Sequence, residues 1–154
     1  MARQDFYTRL VYARQKWPTK KLAYYLLKLL GTELPLSVPV GPGFILEHGG
    51  HGVVVHSKAK IGANVHIYQG VTLGRADIYL PSEQSQFKGI EIGDDVILSP
   101  GSKVLCREGV LTVGRGTVIG ANAVLLESTG EDEIWAGSPA RCVGQRPRPE
   151  GKPV

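Results

Sequence analysis

The middle of the chain repeats a pattern of aliphatic and polar positions every six residues. Each unit opens with an aliphatic residue, often has glycine second, and carries a small residue at its fifth position. The in-phase first positions are Ile61, Ile67, Leu73, Ile92, Leu98, Val104, Val113, Ile119 and Leu125. A fixed six-residue period is typical of a parallel β-helix. The pattern therefore predicts an all-β solenoid in which three units form one triangular turn of about 18 residues.

The recurring positions of the unit predict how the solenoid packs. We expect the aliphatic first residue to point inward and stack on its counterparts in adjacent turns. The small fifth residue is expected to face the same narrow interior. The glycines are expected at tight corners, where a positive φ is cheap for them. The alternative, an ordinary sandwich of short strands, is disfavoured by the number of units that stay in phase.

The six-residue phase breaks twice. After Leu73 the next aliphatic first position is due at 79 but appears at Ile92, so thirteen residues are extruded within the segment 75–89. That segment contains a run of Pro, Ser, Glu and Gln that cannot fill a core. A second break, of three residues, precedes Val113. Because long loops on a rigid scaffold are usually functional or disordered, we expect loop 75–89 to have a functional role.

Residues 3–31 have the spacing of helices instead. Pro18 interrupts an apolar stripe, Thr19 is a candidate N-cap for a second helix, and Gly31 stands where a C-cap glycine belongs. The stripe consists of Phe6, Leu10, Ala13, Trp17, Leu22, Ala23, Leu26, Leu27, Leu29 and Leu30. We interpret it as a packing surface, and a membrane-surface anchor is the alternative.

The 154 residues suit one ordinary domain, which these patterns divide into three parts. A helical segment covers residues 1–37, and the solenoid covers residues 38–143 with the extruded loop 75–89. Residues 144–154 contain several Arg and Pro residues and are expected to form a flexible tail. Because 42% of the residues are hydrophobic, the composition is not that of a disordered chain.

Charge changes sign along the chain, whose formal net charge is +4. Residues 1–31 contain seven Lys and Arg and one Asp, whereas residues 32–140 contain seven Lys and Arg and twelve Asp and Glu. A nucleic-acid-binding protein gathers positive charge on its recognition surface, and here the solenoid is acidic. We therefore expect no nucleic-acid partner and interpret the basic ends as solvated faces.

The expected location follows from features that the sequence lacks. No apolar run approaches the ~20 residues of a membrane helix, and the first residues lack a secretory signal. Cys106 and Cys142 are too few for a disulfide scaffold and do not have the spacing of common zinc fingers. We expect a cytoplasmic protein with no stable membrane insertion.

Three short motifs are more specific than the repeats. Glu47-His48 is followed by Gly52-Val53-Val54-Val55, then by Gly70-Val71-Thr72-Leu73-Gly74, and Gly137-Ser138-Pro139-Ala140-Arg141 lies near the end. Over residues 33–143 the chain resembles the hexapeptide-repeat acyltransferases, and within them the serine acetyltransferase-like group. The resemblance implies a left-handed parallel β-helix, a homotrimer with active sites between subunits, and acetyl-CoA as the acyl donor.

The resemblance also implies a catalytic set. His48 stands at the position of the family's general base, with a carboxylate fifteen residues upstream, here Glu33, and another directly before it, here Glu47. A neutral imidazole can take the proton of a hydroxyl as that hydroxyl attacks a thioester. A carboxylate on the other ring nitrogen fixes the tautomer and stabilises the imidazolium. Because one extra residue follows His48 relative to the family, His51 remains a rival base.

Contacts to the donor and the acceptor are implied in the same way. The small residues that relatives use along the pantetheine arm correspond to Pro100, Gly101, Gly120 and Ala121. The basic residues that could meet the phosphates of CoA are Lys103, Arg115 and Arg141. The residues expected to contact the acceptor are Tyr68, Gln69, Arg75 and Asp77. Plain corner geometry and solvated charge are the alternatives for the donor set.

Two departures from the family bear on the acceptor. Serine acetyltransferases have a second His, preceded by Arg, just before the strand that resumes at Ile92, where this chain has Phe87-Lys88-Gly89-Ile90-Glu91. Their long N-terminal helical domain is replaced by about 31 residues. The main hypothesis is therefore O-acetyl transfer to the hydroxyl of a sugar or polysaccharide precursor, as in short relatives with one such His. Serine is the alternative acceptor.

Two further alternatives belong to other classes of protein. One is a non-catalytic trimeric scaffold. The other is a γ-carbonic-anhydrase-like zinc protein, because His51 and His56 have part of the spacing that such a site needs. The main hypothesis involves no metal, and it treats His56 and His66 as exposed residues of the solenoid faces.

Overall fold

A stack of triangular turns forms the body of the molecule. The computed structural model describes residues 5–147. Its strands are β1 Ile45–Leu46, β2 Val54–Val55, β3 Ala59–Ile61, β4 His66–Ile67, β5 Thr72–Arg75, β6 Phe87–Ile92, β7 Ile97–Leu98, β8 Lys103–Cys106, β9 Gly109–Val113, β10 Val118–Ile119, β11 Val124–Leu125, β12 Glu133–Gly137 and β13 Ala140–Gln145. Most of them are only two to four residues long, because each side of the triangle turns a corner after one hexapeptide.

Three sheets form the sides of the triangle. Sheet I contains six strands in the order β1-β4-β7-β10-β12-β13, sheet II contains β11-β8-β5-β2, and sheet III contains β3-β6-β9. Neighbouring strands are parallel from β1 to β12, and β13 returns antiparallel to β12. The chain visits sheets I, II and III in turn, as the six-residue period predicts.

The register confirms both the repeat and its two interruptions. Ile61 pairs with Ile92, and Ile92 pairs with Val113, so the thirteen-residue extrusion and the three-residue break leave the stacking intact. The nine aliphatic first positions are at most 4% exposed. The small fifth positions are also buried; they are Val65, Val71, Val96, Ser102, Thr117 and Ala123. The prediction of an inward-facing first and fifth residue is therefore confirmed.

The reason for glycine at the second position differs from the expected one. Gly62 and Gly93 do not have a positive φ. A Cβ atom on Gly93 would instead lie 2.8 Å from the backbone nitrogen of Arg115 in the next turn. The left-handed conformation occurs at the fourth position of the unit, for example at Asn64 and Asp95, residue types that tolerate it. Second-position glycine is required by the close approach of adjacent turns.

Two helices precede the solenoid, α1 (Phe6–Ala13) and α2 (Lys20–Leu29). Thr19 is the N-cap residue of α2, as predicted, but its hydroxyl donates to the carbonyls of Ala13 and Lys16 and makes no capping hydrogen bond. Gly31 has a φ of 88° and, with Thr32, donates to carbonyls in the last turn of α2. This bonding is a Schellman motif, and it confirms the predicted C-cap.

The helices cover the N-terminal end of the solenoid with one face only. Val11 and Leu27 are fully buried against it. The Tyr12 hydroxyl donates to the Gly41 carbonyl at 2.9 Å, and the buried Arg14 guanidinium donates to two backbone carbonyls. The predicted packing stripe is therefore wrong for four of its members, which are exposed; they are Phe6, Trp17, Leu22 and Leu29.

The C-terminal boundary also differs from the prediction. Strand β13 continues to Gln145, and the Arg146 guanidinium donates to the carbonyls of Asp95 and Gly116 at 2.7 and 2.9 Å. The first residues of the predicted tail therefore belong to the folded domain, and the remainder, 148–154, lies outside the described residues. Within the described range, no helix has the length and apolar character needed to cross a membrane.

Candidate active site

One edge of the solenoid, where each turn passes from sheet I to sheet II, gathers most of the predicted site. We call it the His48 edge. Its corner segments are residues 47–53, 68–71, 99–102 and 120–123. The corners are joined by backbone hydrogen bonds between turns: Gly101 donates to the Gln69 carbonyl, and Asn122 donates to that of Pro100. Catalytic and donor-binding candidates that are far apart in sequence thus lie in register.

His48 has an unusual backbone conformation in the first of these corners. Its φ of 51° and ψ of 33° are left-handed, and its side chain is exposed. Gly49 follows with a φ of 71°, and a Cβ atom there would lie 2.8 Å from the Tyr7 ring. Glycine thus lets the corner close under α1. A non-glycine residue held in this conformation costs free energy and is typical of functional sites.

Tyr68 and Gln69 lie one turn along the same edge. The Tyr68 ring centroid is 5.9 Å from that of His48. The side-chain oxygen of Gln69 is buried and has no hydrogen-bond partner among the described residues. An unpaired buried acceptor is costly, so this oxygen is a group that a bound hydroxyl or amide could satisfy. The structure places both predicted acceptor contacts beside His48.

The two predicted carboxylate partners of His48 are engaged elsewhere. The half-exposed Glu33 carboxylate is 3.5 Å from the Lys28 ammonium. The Glu47 carboxylate accepts a hydrogen bond from Nδ1 of His66 at 2.8 Å. Neither is hydrogen-bonded to the His48 ring in the described part of the chain. The expected orienting contact between Glu33 and the His48 ring is therefore not seen within this single chain, and the catalytic roles of Glu33 and Glu47 stay predictions.

His66 is a residue whose environment sequence reasoning missed. Its side chain is 34% exposed and paired with Glu47, whereas we expected a simple exposed residue. The register explains the contact: Ile45 pairs with His66 in sheet I, and Glu47 directly follows the strand that contains Ile45. The Glu47–His66 pair links two successive turns of the solenoid.

The rival base, His51, contacts the N-terminal helices. Its Nδ1 donates to the carbonyl of Leu30 at 3.1 Å, and its ring packs edge-on against Tyr7 at 5.8 Å. These contacts tie the ring to the C-terminal end of α2, which gives His51 a structural role.

His56 also differs from the exposed residue that we expected. Its Nδ1 accepts a hydrogen bond from the Lys58 backbone at 3.1 Å, and its ring packs edge-on against Phe87 at 4.7 Å. Burial, followed by the charges of Lys58 and Arg75, lowers the pKa of His56 below its ordinary value. The structure shows no group of three or more His, Cys, Asp or Glu residues that could hold a metal ion within residues 5–147.

The donor-binding candidates do not all lie on the same edge of the solenoid. Four small residues lie along the His48 edge; they are Pro100, Gly101, Gly120 and Ala121. Arg141 is exposed on β13, pairs with Ala136, and lies 3.4 Å from Glu127. Arg115 lies on a different edge, between sheets III and I, where it pairs with Glu131 at 3.7 Å. The structure therefore does not bring Arg115 to the other donor residues.

Lys103 is already used within the His48 edge. Its ammonium donates to the carbonyls of Gly70 and Gly101 at 2.6 and 2.8 Å. Because these two carbonyls belong to consecutive corners, the Lys103 ammonium links the two corners by hydrogen bonds.

Arg75 and Asp77 bind each other at the base of the extruded loop. Arg75 Nε donates to Asp77 Oδ1 at 2.8 Å, and the Ser85 hydroxyl donates to Asp77 Oδ2 at 2.6 Å. The hydrogen bonds from Arg75 and then Ser85 lower the pKa of the buried Asp77 carboxyl. The loop leaves the edge between sheets II and III, so the predicted contact of these two residues with an acceptor beside His48 of the same chain is not matched.

Comparisons with known proteins agree with this architecture. No family model matches the chain. It is 38% identical over 115 residues to a serine acetyltransferase of Bacillus licheniformis, covering 75% of this chain and 49% of that protein. It is 35% identical over 141 residues to the serine acetyltransferase of Staphylococcus xylosus, covering 86% and 61%. The chain thus spans about half to three fifths of the length of these relatives.

Solved structures give the same result for the fold. The chain matches a serine acetyltransferase of Brucella abortus in complex with coenzyme A, with a TM-score of 0.73 and 28% identity, over 91% of this chain and 56% of that chain. It also matches the serine acetyltransferase of Neisseria gonorrhoeae in complex with serine, with a TM-score of 0.70 and 25% identity, over 89% and 56%. These matches fix the fold class as a left-handed parallel β-helix.

The fold and the His48 edge together define a hexapeptide-repeat protein of the acyltransferase type. Within that class, the chain is serine acetyltransferase-like, since it is similar to these enzymes over most of its own length and about half to three fifths of theirs.

Proposed function

We propose that the chain is an acetyl-CoA-dependent O-acetyltransferase in which His48 is the general base. The observation that carries the proposal is the alignment of His48, Tyr68 and Gln69 with the small donor residues on one edge of the solenoid. The matched relatives are named serine acetyltransferases, and one matched structure is a complex with coenzyme A. His51 is the poorer candidate because its ring contacts Tyr7 of the first helix, whereas the ring that contacts the proposed acceptor residue Tyr68 is that of His48.

The proposed reaction is a direct acyl transfer. Neutral His48 takes the proton of the acceptor hydroxyl as the oxygen attacks the thioester carbonyl carbon. The carbon–oxygen bond forms, the carbon–sulfur bond breaks, and the CoA thiolate receives the proton from the imidazolium. Glu33 would stabilise this imidazolium after exchanging its contact with Lys28, whereas Glu47, the residue before the base, is bound to His66.

The donor is proposed to lie along the His48 edge. Glycine, proline and alanine corners leave room for an extended pantetheine arm without bulky side chains. Gly101, Gly120 and Ala121 remain partly or fully accessible there. Arg141, whose exposed guanidinium lies next to this edge, is the residue that we assign to a phosphate of CoA.

We further propose a homotrimer. The outward ladder of sheet I pairs Ile45, His66, Ile97, Val118 and Ile134 in successive strands, and its aliphatic members are only half-buried in a single chain. A neighbouring subunit on this face would cover apolar surface and could bring its own loop 75–89 toward the His48 edge. Light scattering tests the assembly, with an expected mass of about three times 16.6 kDa.

Serine is the acceptor that the comparisons favour, because the matched relatives carry that name and one matched structure is a complex with serine. A sugar hydroxyl is the second candidate. It is favoured by Lys88-Gly89, which stands where serine acetyltransferases have Arg-His. A lysine ammonium is a point charge and cannot hold a carboxylate in the bidentate way of arginine.

Release of free thiol from acetyl-CoA tests the proposal, with serine, nucleotide sugars and oligosaccharides as acceptors. Acceptor-dependent thiol release supports an O-acetyltransferase. The preferred acceptor decides between serine and sugar. Failure to bind CoA by calorimetry would instead identify a non-catalytic scaffold. We expect this reaction in the cytoplasm.

A further inference from the structure

The outer face of the N-terminal helices combines large apolar side chains with lysines. We call it the basic-aromatic patch. Its apolar members are Trp17 and Leu29, each 83% exposed, Leu22 at 66%, Tyr25 at 64% and Phe6 at 60%. Its exposed basic members are Arg9, Lys16, Lys20, Lys21 and Lys28. An apolar patch of this kind, bordered by charge, marks an interaction site.

The patch lies on the side of the helices that does not pack on the solenoid. The opposite face of the helices carries Val11, Ala23 and Leu27, which are buried on the solenoid. Tyr12 and Arg14 fasten that face through hydrogen bonds to backbone carbonyls. Burial lowers the pKa of Arg14 to about 10, so it stays charged at neutral pH. The outer face therefore points away from the chain's own core.

The charge of the patch is almost purely positive. Between residues 5 and 31 there are six Lys and Arg and one acidic residue, Asp5. The Asp5 carboxylate is engaged as the N-cap of α1, where it accepts from the Thr8 amide at 2.7 Å. Lys28 is paired with Glu33 at 3.5 Å. Lys16, Lys20 and Lys21 are left for an anionic partner.

We propose that the basic-aromatic patch docks the protein on an anionic lipid surface. Leu22, Tyr25 and Leu29 are three and four residues apart on α2, so they form one stripe that can enter the boundary between headgroups and acyl chains. Trp17 precedes this stripe. Lys21, four residues before Tyr25 on α2, flanks it and can meet lipid phosphates. Helix α2 has 10 residues, about half of the ~20 that a spanning helix needs, so it lies along the surface.

Two other occupants fit the patch less well. A second copy of the same face would bring five exposed cations against five, which like-charge repulsion opposes. A nucleic acid would match the lysines and could stack on Trp17 or Tyr25. It would leave Leu22 and Leu29 in water, whereas acyl chains would cover them.

Vesicle flotation with the full chain tests the proposal, using phosphatidylcholine vesicles with and without phosphatidylglycerol. The protein should float with the anionic vesicles, and less so at high salt. Tryptophan emission should shift to the blue, because Trp17 is exposed and Trp135, at 8% exposure, is already buried. The Trp17→Phe variant should float while losing most of that shift.

Matched charge reversals separate this patch from general electrostatic attraction. Lys20→Glu with Lys21→Glu should weaken vesicle binding by ~10-fold or more. The control variant is Lys58→Glu with Lys88→Glu, which makes the same change of net charge at exposed positions on the solenoid. It should bind anionic vesicles nearly as well as the wild type. Circular dichroism should show both variants folded.

Three results would overturn the proposal. The first is no flotation with anionic vesicles. The second is equal loss of flotation in both charge-reversed variants, because the attraction would then not come from the patch. The third is a different occupant of the patch when no vesicle binding is seen. That occupant would be a labelled oligonucleotide that binds, or a second copy of the chain whose association is lost in the Lys20→Glu, Lys21→Glu variant.

Discussion

The Glu47 carboxylate is hydrogen-bonded to Nδ1 of His66, at 2.8 Å, across two turns of sheet I. This contact anchors the residue directly before His48, whose backbone is left-handed. His48 itself shows ring contact with Tyr68 and no hydrogen bond to a carboxylate within the described residues. The carboxylate–imidazole pair of the site thus positions the corner on which His48 lies.

Breaking this pair is expected to impair turnover more than stability. A partly exposed pair contributes at most about 1 kcal/mol to folding, whereas a displaced base can lose about tenfold to 100-fold in rate. Glu47→Ala, which removes the acceptor, should therefore lower kcat with little change in KM for acetyl-CoA or in Tm. Steady-state kinetics and thermal unfolding measure the two effects.

The matched variant is His66→Ala, which removes the donor. If His66 holds Glu47 in place for His48, this variant should lose a similar factor in kcat. Wild-type kcat in His66→Ala together with a large loss in Glu47→Ala would show that Glu47 contacts the substrate directly.

Acid should release the extruded loop through Asp77. Its pKa in the folded protein is lowered by Arg75 and Ser85, so the ionised carboxylate contributes stability above the ordinary value of 3.8 and loses it as pH falls through the lowered value. Asp77→Asn should thus lower Tm at neutral pH, and its difference in Tm from wild type should shrink as the pH falls below 3.8. A difference in Tm that stays constant as the pH falls would contradict this role.

The close approach of turns predicts unequal effects of two Gly→Ala variants. A methyl group on Gly93 would lie 2.8 Å from the Arg115 backbone nitrogen, whereas one on Gly144 would meet nothing within 4 Å. Gly93→Ala should cost about 1–3 kcal/mol of unfolding free energy, and Gly144→Ala should be nearly neutral. Denaturant unfolding of both variants measures the difference. Equal stabilities would show that adjacent turns can separate at Gly93 without cost.

The solenoid was predictable from sequence because its core obeys one local rule. Stacking of Ile61, Ile92 and Val113 follows from the six-residue period even across a thirteen-residue loop. The buried face of the helices was less predictable, because α2 has apolar residues on two opposite faces. Periodicity identifies a helix but does not say which face of it is covered, so Leu27 and Leu29 could not be told apart.

The site was predictable as a set of residues but not as a set of contacts. His48, Tyr68 and Gly120 lie on one edge because each occupies the corner after a sheet I strand, which the repeat phase determines. Ion-pair partners depend on side-chain direction across turns, which the phase does not fix. For that reason the repeat phase reveals neither the pairing of Glu47 with His66 nor the separation of Arg115 from the small donor residues.

Paired histidine variants test the central claim most directly. The rate of thiol release from acetyl-CoA, with the acceptor that the screen identifies, should fall at least ~100-fold in His48→Ala, the loss typical of a missing general base. The same rate should stay within a few-fold of wild type in His51→Ala, with both variants folded by circular dichroism. Near-wild-type turnover in His48→Ala, with the large loss in His51→Ala instead, would contradict the assignment of His48 as the base.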